Sequence, residues 1–259
     1  MANEYKKDFP IFTASENAGL IYFDNAATTQ RPGCVIDAID HYYMHDNANP
    51  LRGLYDLSGR ATEDYENARH AVADFLNAKD CEIIFTRNAS ESLNMIAYTW
   101  GMANVNAGDE IVTTITEHHS NILPWQMLCQ AKGAKLVFLE CDKTTGEFPE
   151  SEFAKINSKT KLVACGHVSN VLGITHPVKK IAELAHKVGA VCVIVLFMLI
   201  THLLQNNKKG DIQYKRMLQA NDGEPIHVQY RLCDDAIYAL NPKNGNQNIY
   251  RYEMFRHVI

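Results

Sequence analysis

Between residues 82 and 195 short apolar runs alternate with amphipathic stretches, and this alternation restricts the fold more than any other feature of the chain. The apolar runs fall at 82–86, 110–115, 135–139, 161–165 and 190–195. Stretches with helical spacing lie between them at 90–102, 123–131, 150–156 and 177–188, the last with Pro177 at its first helical position. Strands alternating with helices predict an α/β domain whose mostly parallel sheet is covered by helices on both faces. Ahead of this region, 9–12 reads as a docking segment, 21–23 as a short strand and 35–45 as a helix. Ser58 is expected to cap a longer helix that lines up Ala61, Tyr65, Ala68, Val72, Phe75 and Leu76 on one face.

An apolar content of 46% in 259 residues suffices for a full core. A net charge of -5, spread along the chain, gives no electrostatic case for nucleic acid or an anionic membrane. The seven cysteines are scattered without a Cys-x-x-Cys pair, and the N-terminus has no apolar signal core, so a cytoplasmic protein with reduced thiols is expected. Residues 188–204 carry no formal charge, and their 17 residues reach the lower limit for a membrane span. The first half reads as a buried strand, which makes a membrane span the alternative. Beyond 204 the chain turns polar and shows weak periodicity.

Three segments at strand ends carry candidate chemistry, because ligands of open α/β sheets bind at that edge. In Arg87-Asn88-Ala89-Ser90-Glu91 a strand turns into a helix whose first N–H groups, with the Ser90 hydroxyl, suit a phosphate. Alternatively, Ser90 is only the helix cap. The pair His118-His119 follows a strand, and a flat imidazole there suits stacking on a heteroaromatic ring and proton transfer. A metal site lacks an evident third ligand, and a satisfied, partly buried histidine is the plainer alternative. Asn170 follows the strand at 161–165, and its amide suits a phenolic oxygen, unless it only stabilises its own turn.

In this order the segments resemble the cofactor shell of the fold-type I pyridoxal-phosphate (PLP) enzymes. The nearest resemblance is to the SUF-type (group II) cysteine desulfurases of the class V aminotransferase superfamily. It is carried by Tyr22-Phe-Asp-Asn-Ala-Ala-Thr-Thr29, Arg52-Gly53, Arg87-Asn-Ala-Ser-Glu91, Glu117-His-His-Ser-Asn-Ile-Leu-Pro-Trp-Gln126 and His167-Val-Ser-Asn-Val-Leu-Gly173. It spans about 9–195 and implies removal of sulfur from L-cysteine, giving L-alanine, for iron–sulfur cluster assembly. The resemblance implies further that Ala89 and Ser90 hold the PLP phosphate and that His118 stacks on the ring and moves protons. Asn170 would bond the ring hydroxyl, and Ala26 and Ala27 would line the substrate pocket. A homodimer and a sulfur-acceptor protein are the implied partners.

The pattern departs from the family after residue 194. There the family strand ends in an aspartate that keeps the pyridine nitrogen protonated, and a lysine farther on holds the coenzyme covalently. Val195 stands at the aspartate's place, and Lys208, Lys209, Lys215 and Lys243 lack the lysine's setting. No loop with a nucleophilic cysteine is recognisable, and the acidic neighbours of Cys233 disfavour its thiolate. The expectation is therefore a desulfurase by descent that is inactive as this chain. Residues 1–195 would form a partial PLP-transferase large domain and 196–259 an unassigned tail, making the chain truncated or hybrid.

Overall fold

The computed structural model describes residues 4–25, 27–195 and 253–254. Its helices are α1 (Gly33–His41), α2 (Asp56–Leu76), α3 (Ala89–Ile96), α4 (Met102–Asn104), α5 (Leu123–Lys132) and α6 (Val178–Lys187). Its strands are β1 (Phe85–Thr86), β2 (Glu110–Thr114), β3 (Lys135–Leu139), β4 (Thr160–Gly166), β5 (Val191–Val195) and β6 (Glu253–Met254). Strands β2 to β5 form one parallel sheet in the order β3-β2-β4-β5, and β1 pairs with β6 apart from it. The expected α/β architecture with a parallel sheet is present.

Burial explains why these runs became strands. Every residue of β5, and all of β4 but Lys161, is buried, as a strand covered on both faces requires. One face carries Val112, Val163, Cys165, Cys192 and Ile194 against α2 and α6, through Leu76, Ile181 and Ala185. The other carries Ile111, Leu162, Ala164, Val193 and Val195 against α3 and α5, through Leu93, Trp125 and Leu128. Helix α5 closes on Gly133 in the left-handed region (φ 69°), which lets the chain turn directly into β3.

The strand order positions the site. From β2 the chain crosses to β3 on one side, then returns to β4 on the other side of β2. The direction of winding reverses there, and in open α/β sheets that reversal point, beyond the C-terminal ends of β2 and β4, is where ligands bind.

Several local expectations are corrected. Residues 21–23 are not a strand: Ile21 and Phe23 are 74% and 92% exposed, and the Tyr22 hydroxyl donates to the Thr28 carbonyl (2.7 Å), closing a local loop. Strand formation across 82–86 shrinks to Phe85–Thr86, because a turn at Asp80–Glu82 takes up the preceding backbone groups. Ser58 lies inside α2; its buried hydroxyl donates to the Asn49 carbonyl (2.7 Å) and accepts from the Gly53 N–H (3.0 Å), tying the 49–53 loop down. The helices expected at 35–45 and 90–102 both pass into wider π turns, at Tyr42–Asp46 and Ala97–Gly101. In the second, a Cβ on Gly101 would meet the Leu128 side chain at 2.4 Å, so glycine permits the close approach of α5. The 150–156 helix is a 3-10 turn, Glu150–Lys155, and Pro177 precedes α6 rather than opening it.

Candidate functional site

The turn after β2 is the centre of the site. His118 caps the short 3-10 turn His119–Asn121, its Nδ1 accepting from the Ser120 N–H at 3.3 Å. Nδ1 acts as an acceptor, which places the neutral ring's proton on Nε2. His118 is exposed. The His119–Asn121 turn packs against both α3 and β4. The turn that carries His118 therefore packs on the helix that begins at Ala89 and on the strand that precedes the Asn170 loop.

At the start of α3, Asn88 rather than Ser90 is the cap. Its side chain accepts from the Glu91 N–H at 2.9 Å. The Glu91 carboxylate reaches back to the Arg87 N–H at 2.6 Å and to its guanidinium, and these contacts hold its pKa below the usual carboxylate value. Behind the turn, Thr86 and Ser92 share a buried hydroxyl pair at 2.7 Å. Ala89 is buried and Ser90 exposed, so Ser90 is left at the open face of a helix start that favours anions.

Asn170 is half-buried at the tip of a tight loop beyond β4. Ser169 supplies that loop's bonds: it accepts from the Leu172 N–H at 3.2 Å and donates its own N–H to the Ile174 carbonyl at 3.0 Å. Ala27 is exposed in the 24–28 loop, and Ala26 lies outside the described residues.

Sequence reasoning passed over four supporting groups. Glu117 accepts from Thr114, Asn121 and the Gly166 N–H, and Asn121 accepts from the Trp125 indole at 2.9 Å. Glu117 as a whole residue is half-buried, but its carboxylate is the enclosed end. That enclosure pushes the carboxyl above its usual pKa, partly offset by the three donors. Residues 117, 121 and 125 recur every fourth position, a spacing that puts side chains on one face and was available in the sequence. His176, also unforeseen, is buried between the Gly166 carbonyl (2.7 Å) and the Thr116 hydroxyl (3.0 Å). Beside it lies a cavity of about 740 Å³, lined by Phe148, Phe153, His167 and Lys180 among others; none of the site residues expected from the sequence lines it.

The residues present fit part of a pyridoxal phosphate. A helix start with Ser90 suits the phosphate, the His118 ring suits a flat face, and the Asn170 amide suits a ring oxygen. They do not fit the rest. Val195 ends β5 fully buried among apolar side chains, with nothing to offer a ring nitrogen, and the candidate lysines after it lie outside the described residues. Among the described residues no helix is long and apolar enough to cross a membrane; residues 191–195 form a strand, and 196–204 lie outside the described part.

The family model for aminotransferase class-V matches residues 21–211. A probable cysteine desulfurase of Synechocystis is 48% identical over 192 residues, 73% of this chain and 46% of that protein. Probable cysteine desulfurase 1 of Mycobacterium leprae is 44% identical over 249 residues, 94% of this chain and 40% of that protein. A match of that extent takes in much of the sequence beyond Val195. The apo structure of a cysteine desulfurase from Thermococcus onnurineus superimposes with a TM-score of 0.67 at 45% identity, covering 73% of this chain and 46% of that one. The chain spans 27–50% of the length of these and other curated relatives that it matches.

Proposed function

Because the chain belongs to the aminotransferase class-V family, we propose that it is a cysteine desulfurase by descent, of the SUF-type (group II) subgroup, which holds pyridoxal phosphate without completing its chemistry. One observation carries the reading: the turn bearing His118 packs against both α3 and β4, at the reversal point of the sheet. In this reading Ala89 and Ser90 hold the phosphate, His118 covers the ring, Asn170 bonds the ring oxygen, and Ala26 and Ala27 line the pocket. The substrate class is L-cysteine, and the partners are a second copy of the chain and a sulfur-acceptor protein of iron–sulfur cluster assembly in the cytoplasm.

The coenzyme supplies an electron sink only while its ring nitrogen stays protonated. Val195 cannot share a proton, so the described residues bind and orient without completing that sink. We place residues 1–195 in a partial PLP-transferase large domain. Residues 196–259 we leave as an unassigned tail, outside the described residues save 253–254; the match to the Mycobacterium leprae relative takes in much of it.

The test uses the full chain with added pyridoxal phosphate. Absorbance titration reads binding, borohydride followed by peptide mapping reads attachment to lysine, and L-cysteine turnover is followed as alanine and sulfide. Saturable binding, no lysine adduct and no alanine are expected. Catalytic alanine, with the coenzyme fixed to Lys208, Lys209, Lys215 or Lys243, would overturn the proposal, as would a failure to bind at all.

A further inference from the structure

Beyond the C-terminal ends of β2 and β4, the Glu117 side chain ties the two strands together, alongside His176, which lies between Thr116 and Gly166. Glu117 follows β2, yet its Oε1 accepts from the Gly166 N–H at the end of β4 (2.8 Å) as well as from the Thr114 hydroxyl (2.5 Å). Its Oε2 accepts from the Asn121 side-chain amide at 2.7 Å. Asn121 in turn uses its oxygen for the Trp125 indole N–H (2.9 Å), and Asn121 and Trp125 are both fully buried. Gly166 admits this contact, since a Cβ there would sit 3.3 Å from Oε2.

We propose that Glu117 is a positioning residue that clamps the His118 turn to the Asn170 loop, setting the distance between the two groups that would hold a coenzyme ring. The inference rests on the proposed coenzyme site. The chemistry is specific to a carboxylate. All three of its neighbours donate, and the fixed polarity of Asn121, whose oxygen is committed to Trp125, leaves only an N–H facing Glu117. An amide at position 117 would set two N–H groups against each other. Relief would require Asn121 to flip, which would face two N–H groups across the Trp125 contact instead. Either way the turn that carries His118 loses its anchor. This polarity also defines a rescue, in which Glu117→Gln is combined with Asn121→Asp. The new amide at position 117 would donate to the new carboxylate at position 121, which could still accept from Trp125. Every bond of the bridge would be restored, with its direction reversed at one contact.

The experiment compares the full chain, Glu117→Gln, Asn121→Asp and the double variant by NMR with histidine ring and tryptophan indole labels, without coenzyme. The His118 Cε1–H and Trp125 Nε1–H signals are expected to move in Glu117→Gln and to return in the double variant. A His118 signal unmoved in Glu117→Gln, or displaced equally in the double variant, would overturn the clamp, because a purely supporting residue would alter melting and leave the ring where it is. Should Glu117→Gln fail to fold, Thr114→Val takes its place, since it deletes one donor only; a displaced His118 signal supports the clamp and an unmoved one overturns it. Pyridoxal phosphate titration of the same proteins is expected to show roughly tenfold weaker binding in Glu117→Gln and recovery in the double variant, in the range typical of lost supporting contacts. Wild-type chain that binds no coenzyme would count against the proposed function alone, since the NMR comparison reads the clamp without it.

Discussion

His176 sits with both ring nitrogens engaged, Nδ1–H donating to the Gly166 carbonyl and Nε2 accepting from the Thr116 hydroxyl, while the ring meets the Phe148 edge at 5.2 Å. Burial lowers its pKa from the ordinary 6.5, with the Gly166 carbonyl partly opposing. The neutral ring is therefore favoured in the fold. Its contribution is full above 6.5 and is lost as pH falls through the lowered folded value. Glu117 has the opposite sign: its raised carboxyl pKa makes stability fall as pH rises through the folded value. Thermal melting across pH is expected to show the acid-side loss in wild type and a weaker one in His176→Asn; an unchanged acid limb would refute the assignment. At this scale the sequence was readable in part. His118, Asn170 and Ser90 stood out because strand ends carry ligands. Glu117 and His176 did not, because their importance lies in what they touch 49 and 60 positions away.

Strand β2 carries an internal cost. Thr113 is fully buried on the face that Ile111 shares with α3 and α5, and among the described residues its hydroxyl has no hydrogen-bond partner. Valine has nearly the same shape and no polar group to strand. Thr113→Val is therefore expected to stabilise the chain by about 1 kcal/mol, read as a higher denaturant midpoint at unchanged slope. A lower midpoint would mean the hydroxyl is used. Elements buried on both faces, such as β4 and β5, were legible because a continuous apolar run has few other places to go. Short elements were not. The apolar run at 82–86 yields only two strand residues, since the Glu82 carboxylate accepts from the Lys79 N–H (2.9 Å) and fixes a turn that competes with pairing. The π turn at Ala97–Gly101 ends on a glycine where a Cβ would meet Leu128 at 2.4 Å, a long-range packing detail that helical periodicity cannot reveal.

Across the whole molecule the thiols report how the chain is folded. Cys34 and Cys81 are exposed and Cys141 is half-exposed, whereas Cys129, Cys165 and Cys192 lie in the core. Burial pushes Cys129 up to about 11 and Cys192 up to about 12, and raises Cys165 as well. Among these six, a thiol reagent at neutral pH is expected to label Cys34 and Cys81 quickly and Cys141 more slowly. The other three should react only on unfolding. Mass mapping of labelled peptides checks this, and rapid native labelling of Cys165 or Cys192 would contradict the described sheet. Alternation along the chain disclosed the class of fold and the edge where ligands bind. The order β3-β2-β4-β5 was hidden, because pairing between distant segments leaves no local trace, and with it went the location of the reversal point.

Gly166 gives its N–H to Glu117 and its carbonyl to His176, and lies opposite Val195 in the sheet. A single residue thus touches three neighbourhoods at once. A side chain there would press on the Glu117 carboxylate, since its Cβ would sit 3.3 Å from Oε2. Variation in either loop has to be matched by the other, so in related chains residues 117, 166 and 176 are expected to change in concert or stay fixed.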